Sequence, residues 1–509
     1  MAGSISTAVG LERRSRVSGY KIKKGFFSND TENLPQIIAV FGEANAANQA
    51  GLTTEKVEVT SAKEAAELFG YGSPIHIMLR ILRPVSGDGV GGIPTLVFPQ
   101  LADGAATATV RTWTVTGVAT ANKTHGIIIN GRDNVDFSQY TFSVSIGDTA
   151  AEVAQKAVDA INGVLGAPVT AAVSGDDVVI TTKWAGATSA DLNVVFDING
   201  DGVGVGYSET ASVDGGGDVD LAPSFAQISD DWITTVINSY GESKLDLFEQ
   251  FNGKPDADNP TGRYSGLIFK PFMSFFGNTS GVRTELSAIT DAAARVEEVT
   301  NVLCPAPRSN GWPFEAAANV VSVFAPIAQN TPHLTVNNSE YPDMPLPVSN
   351  PNFIGDMGEY NNRDLLVKDG CSTVILENGV YKIQDLVTTY HPEGETPLQY
   401  AYARNLNIDW NVSDAYRTLE DIRLKDKVLI KDGQVTSVSG AIKPKEWRAV
   451  LFDFFDDIAE RALINEPSFS KESLRVQISS TNPDRFETFF RYKRTGVARI
   501  ESTDVEAGF

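Results

Sequence analysis

The segment from residue 98 to residue 216 differs in composition from the chain on either side of it, and this insertion most constrains the fold. Ala, Val, Thr, Gly and Asp dominate the segment. Its hydrophobic pattern predicts six strands, at residues 107–119, 126–130, 137–145, 168–174, 177–184 and 192–198. A capping box of Thr149 and Glu152 predicts a helix between the third and fourth strands. A glycine- and aspartate-rich linker at 214–218 closes the segment, so we predict a β-rich domain inserted into another fold.

Helices and short strands alternate on both sides of the insertion, which is typical of an α/β layer. Before it, we predict strands at 37–41 and 57–59 and helices at 61–70 and 74–83, the first helix being capped by Ser61 with Glu64. After it, one helix is predicted to carry Trp232, Val236, Ile237 and Tyr240 on a single face. The elements predicted next are a strand at 266–269, a helix at 282–298, a strand at 299–304 and a helix from 313.

The C-terminal third mixes helices with short strands. Glu377-Asn378-Gly379 predicts a tight turn between strands at 373–376 and 380–383. The other predicted elements are a helix ending near residue 370, helices at 413–427 and 445–463, and strands at 474–479, 486–492 and 496–501. The whole pattern predicts an α+β or α/β multidomain fold, with an N-terminal arm (1–34), a discontinuous α/β core (35–97 and 217–359), the insertion (98–216), a C-terminal domain (360–487) and a C-terminal strand and arm (488–509).

The charge balance argues against whole classes of partner. The chain carries 42 Lys and Arg against 64 Asp and Glu, a net charge of -22. Binding to nucleic acid or to anionic lipid needs a basic face, so we expect no nucleic-acid partner. No apolar run approaches the length of a membrane span, and the N-terminus lacks the apolar region of a secretory signal, so we expect no membrane insertion. Cys304 and Cys371 are expected to be buried, reduced thiols.

The motifs that usually mark a catalytic or metal site are weak here. Residues 87–92 spell G-x-G-x-x-G, but they follow a predicted helix, whereas a dinucleotide loop follows a strand. Asp197–Asp201 resembles the start of a calcium loop, yet its twelfth position is Ser208. The four histidines do not pair at ligand spacing, and Asp453, Asp456 and Asp457 are expected to form a solvated helix face. We therefore predict no enzyme activity, cofactor or metal.

Several segments, taken in order, resemble the tail sheath proteins of contractile bacteriophages, and the Mu-like sheath family in particular. They are LPQIIAVFGEA (34–44), VEVTSAKEAAELFGYGSPIHIMLR (57–80), NRDLLVKDGCSTVILENGVYKIQDLVTTY (362–390) and NPDRFETFF (482–490). The insertion, with its Gly-Asp-Thr helix start at 147–149, resembles the extra domain of Mu-like sheaths. Two departures are Val17-Ser18-Gly19-Tyr20, where the family has Pro-Gly-Val-Tyr, and a divergent C-terminal DVEAGF.

The resemblance implies a mechanical role as a structural protein of the virion tail, assembled in the host cytoplasm. Hexameric rings would stack in a helical lattice around a tail tube and contract to drive the tube through the host envelope during genome ejection. The implied partners are further copies of the chain, the tail tube protein, and baseplate and tail terminator proteins. Six cations against one carboxylate in the first 25 residues make the N-terminal arm basic.

The resemblance also implies that both terminal arms add strands to a sheet of neighbouring subunits. The residues expected at these inter-subunit contacts are Val17, Tyr20, Ile22, Phe489, Tyr492, Val497 and Ile500. Two roles are open for Arg423, Lys425 and Lys427. They are expected either to stabilise the negative end of the helix dipole or to bind an acidic tail tube reversibly through their charges. The insertion holds 5 Lys and Arg against 13 Asp and Glu, and its charge of -8 favours a place on the outer face of the sheath.

Two other functions stay open at this stage. The chain could be an adhesin or carbohydrate-binding protein that uses 98–216 for recognition, or an enzyme that holds a cofactor at 87–92. Helical tubes in electron micrographs would favour the sheath, whereas discrete particles that bind glycans would favour the adhesin.

Overall fold

The computed structural model describes residues 33–507, with gaps at 88, 229–230, 257, 292–294, 396–397 and 439. The N-terminal residues expected at inter-subunit contacts, Val17, Tyr20 and Ile22, lie outside the described residues.

The first part of the core forms close to its predicted positions. Its elements are β1 (Ile38–Glu43), β2 (Val57–Glu58), α1 (Ala62–Phe69), α2 (Pro74–Leu82) and β3 (Thr95–Gln100). The Ser61 hydroxyl accepts a hydrogen bond from the Glu64 amide at 3.2 Å, as predicted, and α1 ends at Phe69 with Gly70 as its C-cap. The Glu64 carboxylate accepts from the backbone N–H of Thr60 at 2.8 Å rather than from Ser61, so the reciprocal half of the cap lies one residue earlier.

The insertion is β-rich, as predicted, and contains one helix. Its elements are β4 (Val110–Gly117), β5 (Lys123–Ile129), β6 (Asn134–Val135), β7 (Ser138–Gln139), β8 (Thr141–Val144), α3 (Ala150–Asn162), β9 (Val169–Ser174), β10 (Asp177–Thr182), β11 (Val194–Asp197) and β12 (Val205–Val213). They form sheets of order β12-β4-β10-β9 and β11-β5-β8 and a small hairpin β6-β7. Thr149 and Glu152 form the predicted capping box. The sequence did not predict β12, an exposed edge strand with a register shift after Glu209.

The second part of the core continues the alternation of helices and strands. Its elements are α4 (Ala222–Phe225), β13 (Thr235–Asn238), α5 (Leu245–Asn252), β14 (Met273–Asn278), α6 (Arg283–Thr290), β15 (Asn301–Pro305) and α7 (Pro313–Asn330).

Three predictions in this part were wrong. The helix expected around Trp232–Tyr240 is strand β13, which lies between β1 and β14 and is buried along its whole length. A parallel strand that is covered on both faces carries a continuous run of apolar side chains. Residues in such a run can also match the spacing of one face of a helix. The strand expected at 266–269 is a turn in which Leu267 is 98% exposed. The helix expected over 282–298 ends at Thr290, and the described residues 295–298 are not helical.

The C-terminal third holds the remaining elements. They are α8 (Tyr360–Lys368), β16 (Thr373–Glu377), β17 (Val380–Asp385), α9 (Ala403–Arg423), β18 (Val428–Leu429), β19 (Ala441–Ile442), α10 (Pro444–Glu460), β20 (Ile464–Asn465), α11 (Pro467–Ser473), β21 (Arg475–Ile478), β22 (Phe486–Phe489) and β23 (Lys493–Arg494). The predicted hairpin is present, with Asn378 and Gly379 at positive φ in its turn. Helix α9 begins ten residues before its predicted start, and residues 496–501 form no strand.

The core is a three-layer α/β arrangement around a six-stranded sheet of order β15-β14-β13-β1-β3-β2, in which only β2 runs antiparallel to its neighbour. Side chains alternate across β1, so Ile38 and Val40 join a hydrophobic cluster with α2 and α7. Ala39 and Phe41 point to the other face and join a cluster with Phe248 of α5. The fold is therefore mixed α/β with several separate sheets, as the sequence predicted.

The C-terminal elements from α9 onward have their own hydrophobic cluster, which we call the C-terminal module (residues 403–495). Trp447, Leu451 and Phe455 of α10 are fully buried in its centre. The insertion, in contrast, shares one continuous cluster with α2 and α7. The rings of Trp184 and Trp312 meet there at 5.0 Å between centroids, so the insertion packs firmly on the core.

Candidate functional site

Strands β21 and β22 form a two-stranded antiparallel hairpin on the surface of the C-terminal module. Val476 of β21 faces the module core, and Trp447 Nε1 of α10 donates a hydrogen bond to Thr488 Oγ1 at 3.2 Å. Within the described residues, neither outer edge of this hairpin pairs with a third strand. A row of unpaired backbone N–H and C=O groups can accept an additional strand from another chain.

The chain after the hairpin is fastened to the module as far as Thr495. Strand β23 pairs with β20, and the Arg404 guanidinium donates to the Thr495 carbonyl oxygen and to Thr495 Oγ1, both at 2.8 Å. The Thr495 hydroxyl in turn donates to the Ala462 carbonyl oxygen at 2.7 Å. Helix α9 and the turn before β20 therefore both hold Thr495, which is a fixed point from which the last part of the chain leaves.

Asp409 of α9 anchors the same segment from the other side. It accepts hydrogen bonds at Oδ1 from Arg494 Nε at 2.6 Å and from the Tyr492 hydroxyl at 2.8 Å. Burial alone would lower the pKa of Arg494. The Asp409 carboxylate raises this pKa by more than burial lowers it, so the net shift is upward. Burial and Asp409 both raise the pKa of Tyr492. Both shifts favour the forms that donate hydrogen bonds to Asp409, a protonated phenol and a charged guanidinium.

A cavity of about 560 Å³ lies beside this anchor, between the end of α7, the start of α9 and the segment from Tyr492 to Arg499. Sequence reasoning missed Arg404 and Asp409, because it placed the start of the helix at residue 413 and left both in a loop. The signal that could have found them is the run of apolar and polar residues at helical spacing from Ala403 to Trp410, all of which lie in α9.

The predicted C-terminal arm residues fall into two groups. Phe489 ends β22 and is 53% exposed, while Tyr492 packs within its own module. Val497 and Ile500 lie beyond the Thr495 anchor, and Ile500 is 91% exposed. Between them Arg499 lies over the Tyr402 ring, 3.4 Å from its centroid, and 3.5 Å from Asp385. The segment from Gly496 onward, which we call the C-terminal extension (residues 496–507), is mostly exposed.

The three predicted tube contacts do lie together. Arg423 is the last residue of α9, and Lys425 and Lys427 follow it on an exposed turn rather than on the helix itself. The helix ends four residues before its predicted end, and Asp426 in the turn after it adopts a positive φ of 61°. Lys425 lies 3.8 Å from Asp421, one turn before it.

The residues that resembled chemical motifs occupy ordinary structural positions. Asp197 and Asp201 accept hydrogen bonds from the backbone N–H groups of Asn199 and Val203, as in simple turns. Within the described residues, no group of three or more His, Cys, Asp or Glu is placed to hold a metal ion. Cys304 and Cys371 are buried, as predicted, and burial raises the pKa of Cys371 to about 12, which disfavours the reactive thiolate.

No helix in the described part of the chain is long and apolar enough to cross a membrane.

Comparison with known proteins gives one curated relative and several solved structures. The chain is 23% identical over 447 residues to the Mu-like prophage FluMu tail sheath protein of Haemophilus influenzae, which covers 85% of this chain and 84% of that protein. A crystal structure of a sheath tail protein from Desulfitobacterium hafniense matches 94% of this chain and 100% of its own, with a TM-score of 0.45 and 11% identity. The cryo-EM structure of the contracted helical sheath of the anti-feeding prophage matches 97% and 99%, with a TM-score of 0.39 and 8% identity. No protein-family model matches the chain.

Proposed function

We propose that the chain, which matches a Mu-like tail sheath protein over 85% of its length, is a structural, non-enzymatic subunit of a contractile virion tail and forms stacked hexameric rings around the tail tube. Contraction of the ring stack would drive the tube through the host envelope during genome ejection. The partners we propose are further copies of the chain, the tube protein, and baseplate and terminator proteins at the two ends.

The observation that carries this proposal is the β21–β22 hairpin with two open edges, close to an anchored chain that then leaves the subunit. We propose that arms of neighbouring subunits add strands to these edges, with the C-terminal extension and the basic N-terminal segment as donors. Val497 and Ile500 would enter a neighbour in this way, and Phe489 would lie at the accepting edge. Donor and acceptor are different surfaces, so the contact is heterologous and generates rings or helical arrays rather than closed dimers.

The domain division also belongs to this proposal. Strand β3 pairs with β1 as far as Gln100, so we place the entry to the insertion at residue 101 and its exit near 216. The acidic insertion would lie on the outer face of the sheath, and the C-terminal module with Arg423, Lys425 and Lys427 would face the tube. Charge repulsion between insertions makes the outer, wider radius favourable.

The test is polymerisation of arm deletions, read by electron microscopy and sedimentation. A variant lacking residues 1–24 and a variant ending at Gly496 should each fold, with unfolding midpoints near that of the full chain, and neither should form tubes. As a control, a chain in which residues 501–507 are replaced by Gly and Ser should polymerise more readily than the one ending at Gly496, because Val497 and Ile500 are kept. Normal tubes from both deletions would overturn the proposed strand exchange.

A further inference from the structure

The cavity of about 560 Å³ beside the Thr495 anchor differs in charge from the rest of the molecule. Four of the described residues around it are cationic, namely Arg404, Lys493, Arg494 and Arg499, and none of them is an Asp or a Glu. The whole chain, in contrast, carries a net charge of -22. A concave site bounded by charges of one sign concentrates ions of the opposite sign, so this cavity attracts anions.

Three of the four cations have a carboxylate partner that does not line the cavity, and Arg404 has none. The partners are Asp409 for Arg494, Glu466 for Lys493 and Asp385 for Arg499. Within the described part of the chain, no carboxylate lies within 4.0 Å of a nitrogen of Arg404. Burial and the nearby charges of Arg499 and Arg494 lower the pKa of Arg404 to about 10. A half-buried cation beside like charges is stabilised when an anion binds next to it.

The Arg404 guanidinium still has N–H donors for a ligand. Its Nε donates to the His333 carbonyl oxygen at 2.7 Å, and Nη1 and Nη2 each donate to Thr495 at 2.8 Å. A guanidinium has five N–H groups, so the hydrogen bonds found among the described residues leave one on each terminal nitrogen. Hydrogen bonds from a guanidinium to a charged oxyanion are about twice as strong as those between neutral groups.

The size and the apolar side of the cavity indicate which anion it fits. Ile327, Leu334 and Leu386 line it together with the arginines. Its volume falls in the range of roughly 300–1,000 Å³ that is typical of sites for small organic ligands. Arg404 has no counter-charge and Arg499 is 3.5 Å from its own, so a group with nearly two negative charges balances the site best. A phosphate group carries about that charge at neutral pH.

We propose that this cavity binds a small organic phosphate between Arg404 of α9 and Arg499 of the C-terminal extension. A phosphate that contacts both arginines ties the extension to its own subunit. The extension is then less free to enter a neighbouring subunit, so the ligand restrains polymerisation. This consequence rests on the proposed function, whereas binding to the cavity does not.

Isothermal titration calorimetry of the unpolymerised full-length protein, with inorganic pyrophosphate as the probe at about 0.05 M salt, tests the site. The wild type should bind. Arg404→Gln and, separately, Arg499→Gln should each weaken binding at least about tenfold. Arg404→Gln also removes hydrogen bonds to Thr495, whereas Arg499→Gln leaves them intact, so the second variant separates ligand binding from folding.

The matched control is Arg417→Gln. Arg417 belongs to the same helix and also donates to backbone carbonyl oxygens, those of Ile268 at 3.1 Å and Gly266 at 3.3 Å, but it does not line the cavity. This variant should bind pyrophosphate as the wild type does. A second readout is trypsin cleavage after Arg499, which saturating pyrophosphate should slow at least about tenfold in the wild type and not in Arg404→Gln.

No binding by the wild type, or unchanged binding in both cavity variants, would overturn the proposed site. The acidic end of the chain is the other source of anions, and Glu501→Gln/Asp504→Asn/Glu506→Gln should leave the pyrophosphate affinity unchanged. Binding at least about tenfold tighter in this variant would show that tail carboxylates occupy the cavity, which would also overturn the proposal.

Electron microscopy separates the effect on assembly from the proposed function. Saturating pyrophosphate should raise the protein concentration at which tubes form, and it should do so less in Arg499→Gln. Tube formation that pyrophosphate leaves unchanged would overturn the link between the site and assembly. A protein that forms no tubes with or without pyrophosphate would contradict the proposed function, while the calorimetric result on the site would stand.

Discussion

Arg132 in the insertion and Glu315 at the start of α7 form a buried ion pair that joins the insertion to the core. Arg132 Nη2 lies 3.2 Å from Glu315 Oε2, and Arg132 Nη1 lies 2.6 Å from Asp343 Oδ1. The Glu315 side chain is 2% exposed, and burial raises the pKa of its carboxyl although Arg132 opposes this. The insertion is therefore held in a fixed orientation rather than as a loosely tethered module.

Removing the cation should destabilise the protein more than removing the pair. Arg132→Met leaves the Glu315 carboxylate buried without a partner and should lower the free energy of unfolding by about 3–5 kcal/mol. Arg132→Met/Glu315→Met should recover a large part of this loss, measured by urea denaturation. Lys63→Met serves as the control, because Lys63 and Glu67 form an exposed pair at 3.6 Å. A loss no larger than that of the control would contradict the buried-pair interpretation.

Glu43 makes the stability depend on pH in a definite direction. It is 1% exposed at the end of β1, and burial raises the pKa of its carboxyl to about 7, while the Thr188 hydroxyl donates to it at 3.1 Å. Since the folded pKa lies above the unfolded one, the stabilising contribution is complete below about pH 4.5 and is lost as the pH rises through about 7.

The variant Glu43→Gln stays neutral throughout this range. Its free energy of unfolding should rise relative to wild type between pH 5 and pH 8, by about 2–3 kcal/mol. Urea denaturation of both proteins at the two pH values measures the difference, and a difference that does not change with pH would show that Glu43 is not protonated in the native state.

The Asp409 anchor should control how firmly the end of the chain is held. Asp409→Asn leaves Arg494 without its counter-charge, so residues 491–495 should detach more often, and trypsin should cut after Arg491, Lys493 or Arg494 at least about tenfold faster. Asp456→Asn, which removes a salt bridge to Lys471 at 2.6 Å on the surface of the same module, is the control. Equal cleavage rates in the two variants would show that Asp409 is not the anchor.

Replacing residues 101–216 by a short Gly-Ser bridge tests the domain division. The core sheet keeps β3 whole, so the shortened chain should still fold and form tubes. Its unfolding midpoint should fall, because Trp312 loses Trp184 and Glu315 loses Arg132. Adding Glu315→Gln should recover part of the loss. Aggregation without a cooperative transition, with or without Glu315→Gln, would mean that the insertion is integral to the core.

Local signals carried most of what the sequence predicted correctly. The Thr149 and Glu152 cap and the Asn378-Gly379 turn each depend on a few neighbouring residues, and both elements form at their predicted positions. The prediction of a helix that includes Val236 was wrong. Strand β13 is covered on both faces by the rest of the chain, and no local sequence pattern reveals this.

The candidate site was predictable only in outline. The basic turn after α9 and the exposed end of the chain follow from composition and order. Contacts such as that of Asp409 with Arg494 join residues 85 positions apart, and only the folded chain brings them together. The shared core of the insertion with α7 is equally non-local, since Trp184 and Trp312 come from separate parts of the sequence.

Electron microscopy of the purified full-length protein, with and without tail tubes of the same particle, distinguishes a sheath subunit from an adhesin. A sheath subunit should form helically arrayed hollow tubes with six-fold rings, and should cover the tail tubes in the same lattice. Discrete particles that never polymerise, and that bind glycans through residues 101–216, would show that the protein is not a sheath subunit.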